Sequence, residues 1–219
     1  MGREERASHP EPGTGRAYHH GNLHEALVDA GLALARTGGP SAVVLRAVTR
    51  EAGVSHNAAY RHFADHRALL AAVGARCREH LGALMAARTA AVTDSDPAPR
   101  AWARLEAIGR AYVDFALTEP GWFRTAFSGA DEPAPAKAAP EHADPGTDPY
   151  LLLAERLDEL VDVGALSAER REGAEYAAWS AVHGLAALLV DGPLRDLPAT
   201  EARSAIRSVL GMVSRGLAT

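Results

Sequence analysis

LRAVTREAGVSHNAAYRHF, residues 45–63, reads as two short helices joined by a tight turn. Leu45, Val48 and Ala52 recur at helical spacing, which makes one face of the first helix apolar. Gly53 follows directly, and glycine enters the left-handed region that ends a helix without a Cβ clash. Val54 then points inward. Ser55 suits the cap of the next helix, because its hydroxyl can accept a backbone N–H bond. In that helix Ala59 and Phe63 share a face, and His56, Asn57, Tyr60 and Arg61 fall largely elsewhere on its surface.

This is the pattern of a helix-turn-helix. Such a unit buries one side and offers the start of its second helix to the DNA major groove. Periodicity alone fits an ordinary helical hairpin equally well. The offered surface favours DNA, because it is rich in hydrogen-bonding and cationic groups that a hairpin built only to pack does not need.

The same residues resemble the tetracycline-repressor (TetR) family of bacterial regulators. Members typically carry an Ala-Gly-Val-Ser turn, a Tyr-x-His-Phe helix and a Leu soon after; here these are Ala52-Gly53-Val54-Ser55, Tyr60-Arg61-His62-Phe63 and Leu69. The resemblance covers about residues 18 to 75. It departs from the pattern in three places. Thr49 stands where a small Ala is usual, Val44 where a Ser or Thr often caps the first helix, and His66 where a Lys often contacts phosphate.

The chain has 219 residues, of which 47% are apolar and 5% aromatic, and this suits an all-α globular protein with ample core. No window approaches the roughly 18 apolar residues of a membrane span, and the polar start lacks the hydrophobic region of a secretory signal. Cys77 is the only cysteine, which excludes an internal disulfide and suits a reducing, cytoplasmic setting; a buried structural thiol is expected. The net charge of −5 argues against a DNA binder at first sight. Its distribution argues the other way, since residues 1–80 carry ten Arg against eight acids, and eight of the ten histidines. A locally positive face matters more for phosphate than the net figure.

Three regions follow from a pass along the chain. Residues 1–17 read as a disordered arm, either a solvated tail or, with Arg3, Arg6 and Arg16, a segment that reaches DNA. Residues 18–66 hold the helix-turn-helix domain. Its first helix is expected to be capped by Asn22 with Glu25, to carry the stripe Leu23, Leu27, Ala30 and Leu34, and to stop at Gly38-Gly39-Pro40. His19, His20 and His24 lack a Cys or carboxylate at ligand spacing, so no metal and no cofactor is expected. Residues 67–219 hold the remaining helices. Asp65 can cap a long helix to about Ala91. A second helix spans about 99–118, and a short aromatic one follows Glu119-Pro120-Gly121. Residues 129–149, rich in Pro, Ala and acid, read as a mobile loop. Helices are expected over about 150–163, from Ser167 to Val190, and over about 200–217, which makes about nine in all.

The last two helices show more apolar surface than one core needs. Val182, Leu185, Leu189, Ile206, Val209, Leu210 and Val213 are expected to form a homodimer through a four-helix bundle. A C2 pair matches a palindromic operator, with recognition helices about 34–36 Å apart. Trp179-Ser180-Ala181-Val182-His183-Gly184 resembles the Trp-x-x-x-His-Gly signature of one TetR-type ligand-binding domain. It can be a pocket wall with one polar anchor, or a satisfied core histidine beneath a tryptophan. Met85, Trp102, Tyr112, Phe115, Trp122, Phe123, Phe127, Trp179 and His183 are the expected lining, a set suited to a small apolar or aromatic effector.

The expected function is repression by a DNA-binding transcriptional regulator that the effector releases. Ser55, Tyr60, His62 and His66 would take phosphates, and His56, Asn57, Ala58 and Arg61 would read base edges, with Arg46 beside them. Effector would move the long helix and swing the heads out of groove spacing. Histidines near phosphate predict an operator affinity that falls as pH rises from about 6 to 8. No catalytic triad, Walker loop or paired carboxylate appears at convincing spacing, so no enzyme is expected. A non-specific DNA-binding protein, or an activator with the same head, is the rival reading.

Overall fold

The computed structural model describes residues 23–129 and 145–218. The expected arm, the Asn22 cap, His19, His20 and most of the expected loop lie outside them. Among the described residues the chain is all-helical, with ten α-helices and two single 3-10 turns. The helices are α1 (Leu23–Gly38), α2 (Leu45–Glu51), α3 (His56–Ala59), α4 (His66–Ala90), α5 (Pro97–Thr118), α6 (Pro120–Ala126), α7 (Pro149–Asp162), α8 (Ala168–Arg171), α9 (Ala174–Val190) and α10 (Ala199–Ala218).

Two apolar cores result. The head core gathers Leu27, Val28 and Ala35 of α1, Leu45 and Val48 of α2, and Ala59 and Phe63 around α3. The body core gathers Leu105, Ile108, Val113 and Phe115 of α5, Leu157 and Leu160 of α7, Val182 and Leu189 of α9, and Ile206 and Leu210 of α10. Helix α4 belongs to both. Asp65 caps it by accepting the Ala68 N–H at 2.8 Å. Leu69, Val73 and Cys77 then face the head core, and Leu81 and Met85 face the body core. One apolar stripe on a 25-residue helix thus spans both units.

The turn between α2 and α3 obeys local chemistry. Gly53 has φ 67°, the Val54 N–H reaches Thr49 O at 3.0 Å, and the Gly53 N–H reaches Arg50 O at 3.2 Å. That pair of bonds is the Schellman closure. Thr49 is buried, and its hydroxyl donates to Arg46 O at 3.1 Å. Val44 caps α2 with backbone alone.

The expected helix from Ser167 to Val190 is two helices. Ser167 does cap, accepting the Arg170 N–H at 3.3 Å, but α8 lasts four residues. Gly173, at φ 72°, turns the chain before α9 begins.

The expected dimer residues require a larger correction. Val182, Leu185, Leu189, Ile206 and Leu210 are each at most 8% exposed and sit in the subunit's own core. Val209 and Val213 are partly buried against the same core. The stripes on α9 and α10 pack on α5 rather than facing outward. At Gly109 of α5 the missing Cβ makes room for this, since a methyl there would lie 2.6 Å from a Leu210 methyl.

Candidate DNA interface and effector cavity

The head presents the polar set that its turn organises. Ser55 accepts the Ala58 N–H at 3.3 Å and so starts α3. Arg46, Ser55, His56, Asn57, Tyr60, Arg61 and His62 are exposed, and Ala58 is half-buried. Tyr60, 51% exposed, meets the edge of His56 at 5.0 Å. His24 of α1 stacks on Phe63 at 4.8 Å and lies 6.4 Å from His62. Helix α3 and the turn that follows it, residues 56–61, therefore expose imidazole, amide, phenol and guanidinium groups over a core that fixes their backbone. Such groups hydrogen-bond phosphates and base edges.

His66 makes a contact within the head. Its Nε2 lies 2.7 Å from Val43 O, which can only accept, so the ring donates there. This ties the first residue of α4 to the chain ahead of α2 and leaves Nδ1 as the ring's remaining polar atom.

In the body the aromatic side chains converge. Tyr112 lies 5.3 Å from Trp179, 6.0 Å from Phe123 and 5.9 Å from Phe127, and Phe127 lies 5.0 Å from His183. The Tyr112 hydroxyl and His183 Nδ1 are 2.7 Å apart. Burial pushes the Tyr112 phenol up and the His183 imidazole down, so both are held neutral. The Tyr112 O–H donates to His183 Nδ1 in the tautomer that carries the ring proton on Nε2.

Beside this cluster lies a cavity of about 40 Å³. Met85, Tyr112 and Trp179 line it. Val182, Leu210 and Val213, expected at the dimer face, line it too, as do Leu105, Ile108, Gly109, Leu153 and Ala178, which the sequence does not single out. A period-2 or period-3.6 stripe marks a buried face but not which neighbour it buries against, so no sequence signal separated these from the core. Glu106 and Ser214 are the polar side chains at its edge apart from Tyr112. Trp102 and Phe115 pack in or against the core and do not line the cavity. Trp122 is displaced furthest from its expected role: its indole N–H donates to Leu32 O of α1 at 2.9 Å, at the joint between head and body.

Two family models match the chain. The model described as bacterial regulatory proteins, tetR family, covers residues 27–73, and the one described as tetracyclin repressor-like, C-terminal domain, covers residues 105–212. The chain belongs to the TetR family. The C-terminal match carries no assignment to the Trp-x-x-x-His-Gly type.

No curated protein matches this TetR-family chain. Among solved structures, a protein of unknown function from Rhodococcus sp. RHA1 is 28% identical, with TM-score 0.70 over 94% of this chain and 100% of that one. A TetR-family transcriptional regulator from Pectobacterium atrosepticum shares the fold at 17% identity, with TM-score 0.64 over 90% and 95%. A TetR variant from Acinetobacter baumannii AYE, solved in complex with minocycline, shares it at 18% identity, with TM-score 0.60 over 87% and 93%.

Among the described residues no group of His, Cys, Asp and Glu is placed to hold a metal ion, and no helix is long and apolar enough to cross a membrane. Cys77 is buried, and desolvation raises its thiol to about 12, so it is not a thiolate near neutral pH.

Proposed function

We propose that this TetR-family regulator is a repressor that binds a palindromic operator as a homodimer and is released by a small apolar or aromatic effector. The observation that carries the DNA half is the exposed set His56, Asn57, Tyr60 and Arg61, on α3 and the turn after it, with the start of α3 fixed by Ser55 and Gly53. Asn57 suits adenine and Arg61 suits guanine. Ser55, Tyr60 and His62 take phosphates, with Arg46 beside them. His66 contributes through Nδ1 alone.

The dimer reading now rests on different residues. On α9, Tyr176, Ser180, Gly184 and Leu188 follow one another at four-residue spacing on the outward side. Tyr176 and Leu188 are 59% and 42% exposed, and Met212 of α10 is 55% exposed. A Cβ on Gly184 or Gly216 would meet nothing within 4 Å inside the subunit. That open strip suits close approach by the same helices of a second copy. Light scattering should give a dimer at micromolar concentration; a monomer would remove the palindrome's physical basis.

The effector half is supported by the aromatic cluster and its neutral Tyr112–His183 pair. The cavity of about 40 Å³ has room for a water molecule or so, against the roughly 300–1,000 Å³ of pockets that hold drug-sized ligands. An effector of that size widens the cavity as it binds, so binding is coupled to movement of the helices that line it.

Selection of duplexes from a random pool at near-physiological salt tests the reading. A recovered palindrome supports a dimeric, sequence-specific regulator. Recovery of no motif, with binding that vanishes as salt rises, would leave only phosphate affinity and favour the non-specific rival.

A further inference from the structure

The cavity between α5, α9 and α10 is polar at one end only. Its walls are apolar, with Ile108 on α5, Val182 on α9 and Leu210 on α10. Tyr112 and Trp179 stand together on the lining, their rings 5.3 Å apart. The Tyr112 hydroxyl is committed to His183 Nδ1 at 2.7 Å, and burial keeps that imidazole neutral. The aromatic end therefore offers ring surface and no counter-charge.

The other end differs. Six residues before Tyr112 on α5, roughly 9 Å along the helix axis, Glu106 lines the cavity with Ser214 of α10. Glu106 is exposed, and it is the one carboxyl group on the lining; among the described residues there, no Lys, Arg or His joins it. Arg110, one turn further along α5, donates to a Glu106 carboxylate oxygen at 3.1 Å but does not line the cavity. The two side chains are 37% and 52% exposed, so their pair is a weak one that rearranges at little cost.

We propose that the effector is a hydrophobic amine, its ammonium held at Glu106 and Ser214 and its apolar or aromatic body reaching toward Tyr112 and Trp179. The assignment rests on the effector reading above and names the charge of the ligand. An ammonium at this mouth keeps part of its hydration and gains an opposite charge, while the body leaves water against apolar walls. A carboxylate there meets Glu106, and carried inward it loses its water with no cation to replace it. A neutral body of the same shape gains the burial alone.

Titration calorimetry on the full chain near neutral pH tests this with three probes of one shape: 4-phenylbutylamine, 4-phenylbutan-1-ol and 4-phenylbutyrate. The amine should bind about threefold more tightly than the alcohol, and at least about tenfold more tightly than the acid. Glu106→Gln should bring the amine down to the alcohol and leave the alcohol unchanged, whereas a residue that only shaped the cavity would move both. Arg110→Gln, which removes the competing partner, should strengthen the amine about twofold. Equal affinities for amine and alcohol, tightest binding of the acid, or an amine preference that survives Glu106→Gln would overturn the assignment. In each of those cases a bound alcohol would still leave the effector cavity standing. No saturable binding of any probe at millimolar concentration would overturn the cavity reading and the assignment together.

Discussion

The head and the body carry their chemistry on opposite sides of their helices. In the head, Asn57, Tyr60 and Arg61 are exposed, and the core beneath them, Ala59 and Phe63, only holds the backbone in place. In the body, the polar pair Tyr112 and His183 lies inside an aromatic cluster. A surface reader can be assembled from local turn chemistry, because water satisfies whatever it leaves unpaired. An interior site exists only where several helices meet, and it obliges each polar atom to find a partner.

Stability should separate the two regions most strongly. Phe123→Ala is expected to cost about 3–5 kcal/mol in urea unfolding, through lost burial and the cavity left behind. Tyr60→Ala, at an exposed position, should stay within roughly 0.5 kcal/mol. Similar losses at both positions would erase the contrast.

Operator recognition sharpens the head's side of it. Asn57→Ala should relax one base position, by about 1–3 kcal/mol of discrimination in competition binding. Tyr60→Phe should weaken all sequences alike. The opposite pattern would exchange their roles.

The turn can be tested on its own. Gly53 has φ 67° and open space around its missing Cβ, so Gly53→Ala has a conformational cost and no steric one. About 1–2 kcal/mol of stability should be lost. A neutral outcome would mean that the left-handed turn does not constrain the head.

The smallest effect belongs to the buried imidazole. Burial lowers the His183 pKa in the folded protein, so the unfolded chain binds its proton more readily. The stabilising contribution is complete above the unfolded value of about 6.5 and is lost as pH falls below it. Tm should therefore drop as pH falls below about 6.5, less steeply in His183→Asn. An identical slope in that variant would place the titration elsewhere.

The helix-turn-helix was legible in residues 45–63 because each of its devices is local: a stripe over two turns, a glycine at φ 67°, a serine cap three residues from its donor. The aromatic cluster was half legible. Tyr112, Phe123, Phe127, Trp179 and His183 do come together, whereas Trp122 joins the head and Trp102 packs against the core. The apolar stripes of α9 and α10 are buried faces, and within the subunit they pack on α5. Periodicity shows that a face leaves water, and a helix of the same subunit covers it as well as a partner does.

By itself, then, the sequence determined the all-helical class, the turn that starts α3 and the polar face that α3 presents. Each depends on contacts within a few residues. Only the tertiary structure decided that Val182 and Leu210 wall a cavity on α5, that His66 donates to Val43, and that Trp122 clasps α1 across 90 residues of chain. Those outcomes are set by which helices lie side by side, and that depends on how all the apolar faces can be buried at once.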